Sequence, residues 1–194
     1  MNIISLYFPL WVTLDKGGRD IAYSLALSLS SVMVAVSMPL IGSCCDRMGR
    51  KIPLLVSLTM LSVISTGLIG AFNQLLPGLL FFALANYGFH AALVPYDALL
   101  PSVSRGYSVG KVAGIGVALG YIGAIAGILM VKPFASEAGG RASAFIPTAI
   151  FFLLFSLPCF FLVRDEKKQM PGTAWRSLKE ELLQIKDTIG RCKY

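Results

Sequence analysis

Residues 52–96 run IPLLVSLTMLSVISTGLIGAFNQLLPGLLFFALANYGFHAALVPY, forty-five positions without Asp, Glu, Lys or Arg. As one straight helix this stretch would measure about 68 Å, more than twice the roughly 30 Å hydrocarbon core of a bilayer. It must therefore turn back on itself, and the polar pair Asn73-Gln74 with a following Pro-Gly supplies the turn. The stretch predicts a hairpin of two membrane-spanning helices, near 52–72 and 77–97.

The composition of the whole chain agrees with this prediction. Its 194 residues are 56% hydrophobic and only 14% charged, with a mean hydropathy of +0.73, which excludes an ordinary water-soluble domain. The net charge of +7 does not indicate nucleic acid as a partner, because the Lys and Arg residues flank apolar runs. The predicted partner is the lipid bilayer. The four cysteines show neither CxxC spacing nor a nearby His, so we expect no metal and no cofactor.

Other uncharged stretches predict further spans, near 21–45, 112–131 and 142–163. Residues 1–14 would give only about 21 Å of helix, so they are interpreted as the end of a truncated first span; a signal peptide is the alternative, although no basic residue begins it. The predicted fold is an all-α bundle over residues 1–163. Residues 164–194 alternate charged and apolar positions at helical spacing, which predicts an amphipathic linker at the membrane surface.

The distribution of basic residues predicts the orientation. Thirteen lie on one side of the membrane: Arg47, Arg50, Lys51, Arg105, Lys111, Arg164, Lys167, Lys168, Arg176, Lys179, Lys186, Arg191 and Lys193. Four lie on the other: Lys16, Arg19, Lys132 and Arg141. The positive-inside rule therefore predicts that loops 46–51 and 98–111 and the linker 164–194 are cytoplasmic.

Small residues suggest an internal repeat between the spans at 21–45 and 112–131. At a constant offset of 92 the following pairs align: Ser24 with Gly116, Ser28 with Gly120, Ser31 with Gly123, and Ala35 with Gly127. Their spacing places each set on one helix face, where small side chains allow close helix packing. The two spans run in opposite directions, which indicates an inverted repeat of three helices followed by three. Small residues are also common in membrane helices generally, and that alternative stays open.

The loop after the second span carries the most specific motif. Six positions, Gly42, Asp46, Arg47, Gly49, Arg50 and Lys51, fit the pattern G-x-x-x-D-R-x-G-R-K. This motif resembles the loop between the second and third helices of major facilitator superfamily transporters. The resemblance implies a twelve-helix fold of which this chain is the N-terminal six-helix half, and a conformational-switch loop whose Asp docks on the second half.

A second set of residues resembles the vacuole-effluxer-like, autophagy-related branch of that superfamily. It comprises Tyr96-Asp97-Ala98-Leu99-Leu100-Pro101, Gly110-Lys111-Val112-Ala113-Gly114 and Leu119-Gly120-Tyr121-Ile122-Gly123. Fungal members of the branch are implicated in amino-acid efflux, so the resemblance implies that substrate class. A glycoside and cation symporter branch, which has a similar Pro-Tyr element, is the alternative.

The fourth span carries the candidate substrate and coupling residues. Asn86, His90 and Asp97 fall within about 40° of each other on a helix, and the last two are the ionisable residues of the spans. They and Tyr87 are predicted to contact a small-molecule substrate or a coupled proton or cation. The competing interpretations are a neutral His bonded to a neighbouring helix and a structural pairing of Asp97 with an arginine.

Three classes of function remain after these observations. The preferred one is a secondary transporter working by alternating access, in which this half faces a second six-helix half. A half-size protein acting with a second copy is the alternative. An intramembrane enzyme is disfavoured because the sequence has no G-x-S-G, H-E-x-x-H or Walker pattern.

Overall fold

The computed structural model describes residues 2–48, 51–72, 74–104, 106–136 and 141–163. All regular secondary structure in these residues is helical. Its elements are α1 (Asn2–Leu10), which continues as a π-helical turn (Trp11–Asp15), α2 (Asp20–Met48), α3 (Ile52–Ala71), α4 (Leu75–Val103), α5 (Val109–Ser136), a 3₁₀ turn (Arg141–Ala144) and α6 (Phe145–Leu162). The predicted linker 164–194 lies outside the described residues.

Five helices of the described chain, α2 to α6, are long and apolar enough to cross a membrane. The all-α class predicted from the sequence is therefore confirmed. The predicted turn between the third and fourth spans separates α3 from α4, which begins at Leu75 and has Pro77 in its first turn. α4 continues to Val103, six residues past the predicted end of its span.

The helices form one bundle in which α3 and α4 are the most buried of the spanning helices. α4 lies between α2 and α3, and α3 also packs against α6. α5 is the least buried of the five spanning helices. We call the end of the bundle that carries Asp15 and Arg141 the Asp15 end, and the opposite end, where α3 begins, the Lys51 end.

An aromatic cluster holds α1 against the rest of the bundle near the Asp15 end. The Phe8 ring stacks on Phe82 of α4 with centroids 4.3 Å apart, and Trp11 meets Phe145 of α6 edge-on at 6.2 Å. All four side chains are fully buried. A Cβ atom at Gly78 would lie 2.7 Å from the Trp11 ring, so α4 makes room for Trp11 by having no side chain there.

The tightest contact between spanning helices is that of α3 with α4. A Cβ atom added to Gly88 would lie 2.9 Å from the backbone oxygen of Leu58 and 3.0 Å from the backbone nitrogen of Ser62. The hydroxyl of Ser62 donates a 2.9 Å hydrogen bond to the carbonyl of Ala85 across the same contact. Hydrophobic burial does not drive helices together in a membrane, because lipid tails are as apolar as the side chains. The close backbone approach and the Ser62 hydrogen bond therefore hold α3 against α4.

We expect Gly88→Ala to lower the free energy of unfolding by about 1–3 kcal/mol, because the new methyl group must push two backbones apart. Gly114→Ala is the matched control. Gly114 is exposed within α5, nothing lies within 4 Å of its added Cβ, and alanine there should raise stability by up to about 1 kcal/mol. Denaturant unfolding in detergent measures both changes. Equal effects of the two substitutions would contradict the close packing of α3 on α4.

Candidate functional site

The structure separates the predicted polar stripe of α4 into a buried and an accessible part. Asn86 is 3% exposed, and its Nδ2 donates a 2.8 Å hydrogen bond to the hydroxyl of Ser30 on α2, which is fully buried. The same hydroxyl donates to the carbonyl of Leu27 within its own helix. Asn86 thus joins α2 to α4 in the interior of the bundle, and no local sequence pattern indicated Ser30 as its partner.

The other stripe residues lie at more accessible positions on α4. Tyr87 and His90 are half-buried, and Asp97 is exposed. The His90 ring meets the neighbouring Phe89 edge-on with centroids 5.3 Å apart. One side of α4 is not covered completely by any other described helix. Exposed and half-buried positions lie along it, from Leu80 through Tyr87 and His90 to Asp97.

An apolar groove runs between α1, α4, α5 and α6. Its main cavity has a volume of about 520 Å³. The aromatic part of its lining is Phe89, Phe151, Phe152 and Phe155, and the α5 part includes Gly120, Gly123 and Gly127. A second cavity of about 250 Å³ continues the groove towards Cys159 and shares Phe89, Phe152 and Phe155 with the first. Neither cavity is lined by His90 or Asp97, so the groove and the accessible side of α4 are separate features.

The two stripes of small residues have different surroundings. On α2, Ser24, Ser28, Ser31 and Ala35 are all exposed, while the adjoining face with Ser30 packs on α4. On α5, a Cβ atom added to Gly127 would lie 2.9 Å from Ile3 of α1, and one added to Gly116 would lie 3.6 Å from the Tyr96 hydroxyl. The corresponding points at Gly120 and Gly123 have nothing within 4 Å. Two of the four small residues on α5 thus lie close to another helix, whereas all four on α2 are exposed.

The predicted switch loop lies at the Lys51 end. Gly42 is half-buried within α2; Asp46 and Arg47 lie in the last turn of that helix, and Gly49 and Arg50 lie outside the described residues. Lys51 directly precedes α3, and its Nζ donates a 2.5 Å hydrogen bond to the carbonyl of Ala98 on α4. The start of α3 is therefore anchored to the final third of the helix that carries His90.

A polar contact at the opposite end was not foreseen from the sequence. The guanidinium of Arg141 forms an ion pair with the carboxylate of Asp15, and the Arg141 backbone nitrogen donates to the same carboxylate at 3.3 Å. This contact ties the end of the α1 segment to the start of α6. The partners are 126 residues apart in sequence, and Arg141 was considered only in the count of basic residues that predicts the orientation.

We expect Asn86 to act through Ser30 and therefore to contribute to stability in the absence of any ligand. Asn86→Ala and Ser30→Ala should each destabilise the bundle, with a coupling free energy of about 0.5–2 kcal/mol in a double-mutant cycle. Thr66→Ala paired with Ser30→Ala is the control, because Thr66 bonds only to the carbonyl of Ser62 in its own helix. Additive effects of Asn86→Ala and Ser30→Ala would show that the two side chains act independently.

The sequence of this chain is similar to a known protein family and to two named proteins. The sequence profile of the Major Facilitator Superfamily matches residues 1–191. Two proteins named Multidrug resistance protein MdtG are similar over 201 aligned residues: that of Citrobacter koseri is 28% identical and that of Salmonella arizonae 27%. Each alignment covers 99% of this chain but 46% of the relative, so the chain spans about half the length of these relatives. No solved structure shows a significant match. The chain is a multi-pass membrane protein and belongs to the Major Facilitator Superfamily.

Proposed function

We propose that this chain is the amino-terminal half of a secondary transporter that exports weakly polar organic compounds by alternating access. The family membership and the multidrug-resistance names of the two relatives support export of this kind and argue against an enzyme. The chain's match to about half of each relative supports a second bundle as its partner.

The exposed serine stripe of α2 carries the proposal. Ser24, Ser28 and Ser31 are exposed although their helix is apolar enough to lie in a membrane. A small polar residue gains little by facing lipid, whereas such residues are typical of helix–helix interfaces, where they let backbones approach closely. The face of α2 that contacts α4 is already the Ser30 face. The Ser31 face is therefore the surface on which a second six-helix bundle would pack.

The substrate class follows from the charges that this half can offer. An amino acid carries a carboxylate and an ammonium group, and moving them into a membrane interior requires charged or strongly polar partners. Between their terminal turns the described spanning helices contain one His, His90, and the carboxylate deepest along α4 is Asp97, which lies near the Lys51 end. The small number of charged side chains inside the spans favours a weakly polar substrate over the amino acid that the vacuole-effluxer resemblance implies.

The accessible side of α4 is the proposed wall of the transport path. Tyr87, His90 and Asp97 share that side, and an imidazole can both bind and release a proton. We assign substrate contact to Tyr87 and proton coupling to His90. The Lys51 end, with the switch loop, would face the cytoplasm by the positive-inside rule.

We expect the full-length transporter to transport lipophilic dyes and not to transport amino acids. Everted membrane vesicles from cells expressing it should accumulate a neutral fluorescent dye when energised with a proton gradient, and should not accumulate labelled alanine, leucine or lysine. In the same vesicles His90→Ala should abolish the response to the gradient while dye exchange down its own concentration gradient persists. Gradient-driven accumulation of the amino acids, without the dye, would overturn the substrate class but leave the fold-level argument intact.

A larger side chain on the serine stripe tests whether this face of α2 packs on a second bundle. Ser31→Leu in the full-length protein should reduce dye transport at least tenfold, because the larger side chain separates the two bundles while the helix still inserts. Ser57→Leu on α3 is the matched control: Ser57 is also exposed and donates to the carbonyl of Leu54, as Ser31 does to Leu27. Wild-type transport by Ser31→Leu, at equal membrane abundance, would refute the assignment of this face to a second bundle.

A further inference from the structure

Asp97 is a carboxylate of a spanning helix for which the described residues supply no cation. It belongs to the apolar helix α4, and its side chain is exposed. Asp15, at the opposite end of the bundle, pairs with Arg141, whereas no ion pair joins Asp97 to a described Lys or Arg. Lys51 reaches α4 one residue further on, where its Nζ donates to the carbonyl of Ala98. The negative charge of Asp97 is therefore uncompensated within the described bundle.

The position of Asp97 along α4 places this charge at the edge of the apolar layer. α4 has 29 residues, which give a length of about 43 Å, against about 30 Å for the hydrocarbon core of a bilayer. A helix centred in the core extends about 6 Å beyond it at each end, and Asp97 stands about 9 Å before the last residue of α4, Val103. A carboxylate at this depth is costly against lipid, so it requires water or a cation on its side of the helix.

The surroundings of Asp97 on α4 combine apolar and aromatic surface with a single sign of charge. Leu93 lies one turn earlier and within about 40° of Asp97 around the helix, and it is exposed. Tyr96, the preceding residue, is exposed as well. α4 contains neither Lys nor Arg. A carboxylate forms its strongest hydrogen bonds with cationic donors, and the face of a tyrosine ring also attracts a cation.

Charge balance decides which compounds this surface can accept. The ammonium group of an amino acid could pair with Asp97, but its carboxylate would find no Lys or Arg on α4. An anionic compound would meet a charge of its own sign. A compound with one positive charge is neutralised by Asp97 and leaves neither partner unpaired, which is the condition under which charges are tolerated near an apolar layer.

We propose that Asp97 selects apolar compounds that carry one positive charge, and that it binds their cationic group at the Lys51 end of the transport path. The inference rests on the proposed function, because it refines the substrate class of the same path. The cationic group bonds to the carboxylate, and the apolar body lies along Leu93 and Tyr96 in the direction of Tyr87. A neutral compound of similar shape uses the same surface without the carboxylate.

A cationic and a neutral dye separate the role of the charge from that of the surface. Everted vesicles that contain the full-length protein are energised with a proton gradient and given ethidium, a monocation, or Nile red, a neutral dye. Asp97→Asn should raise the KM for ethidium about tenfold or more, because a charge-assisted bond is lost, and should leave the KM for Nile red unchanged. Asp97→Glu keeps the carboxylate and should retain most of the affinity for ethidium.

Asp20→Asn is the matched control. Asp20 is also exposed, but it lies in the first turn of α2, near the Asp15 end, so neither KM should change. If Asp97→Asn leaves the KM for ethidium unchanged, or raises both KM values equally, the proposal is wrong, while transport of Nile red by the wild type still supports the proposed function. Transport of neither dye by the wild type would overturn the proposed function and this inference with it.

Discussion

Polar side chains inside this bundle must be hydrogen-bonded without the help of water. A hydroxyl or amide in hydrocarbon must find its partner within the protein. Most hydroxyls of the spans do so within their own helix: Thr66, Thr148 and Ser156 each donate to the carbonyl four residues earlier. Such bonds satisfy the side chain but do not define how two helices meet.

Two polar side chains in the bundle interior act differently and set the helix register. Ser62 donates to Ala85 of α4, and Asn86, the next residue, donates to Ser30 of α2. Adjacent positions of one helix thus hold α3 on one side and α2 on the other. Sliding any of the three helices by one turn would leave a buried amide or hydroxyl unpaired, which costs more than the bond itself contributes. This explains why α4 is central and well enclosed although its sequence is not the most apolar.

The spans could be predicted from the sequence because charges are absent over long distances, and helix geometry converts length into crossings. The partner of each polar residue could not. Asn86 and Ser30 are 56 residues apart, and nothing in the local pattern distinguishes Ser30 from its exposed neighbour Ser31. The predicted repeat was aligned through small residues alone, pairing Ser31 with Gly123. Small residues recur every three or four positions on several faces, so their spacing alone does not fix a register.

The same distinction bears on how the proposed transporter would move. Lys51 with Ala98 and Arg141 with Asp15 are contacts inside the described bundle, one at each end, and together with the Ser62 and Asn86 bonds they favour motion of the bundle as one body. Ser31, in contrast, donates to the carbonyl of Leu27 in its own helix. A surface whose hydroxyls are already satisfied can exchange one set of contacts on a second bundle for another without leaving a polar group unpaired. Alternating access requires an interface with that property. Ser31 on the proposed interface has it, whereas Ser30, which also accepts a hydrogen bond from Asn86, does not.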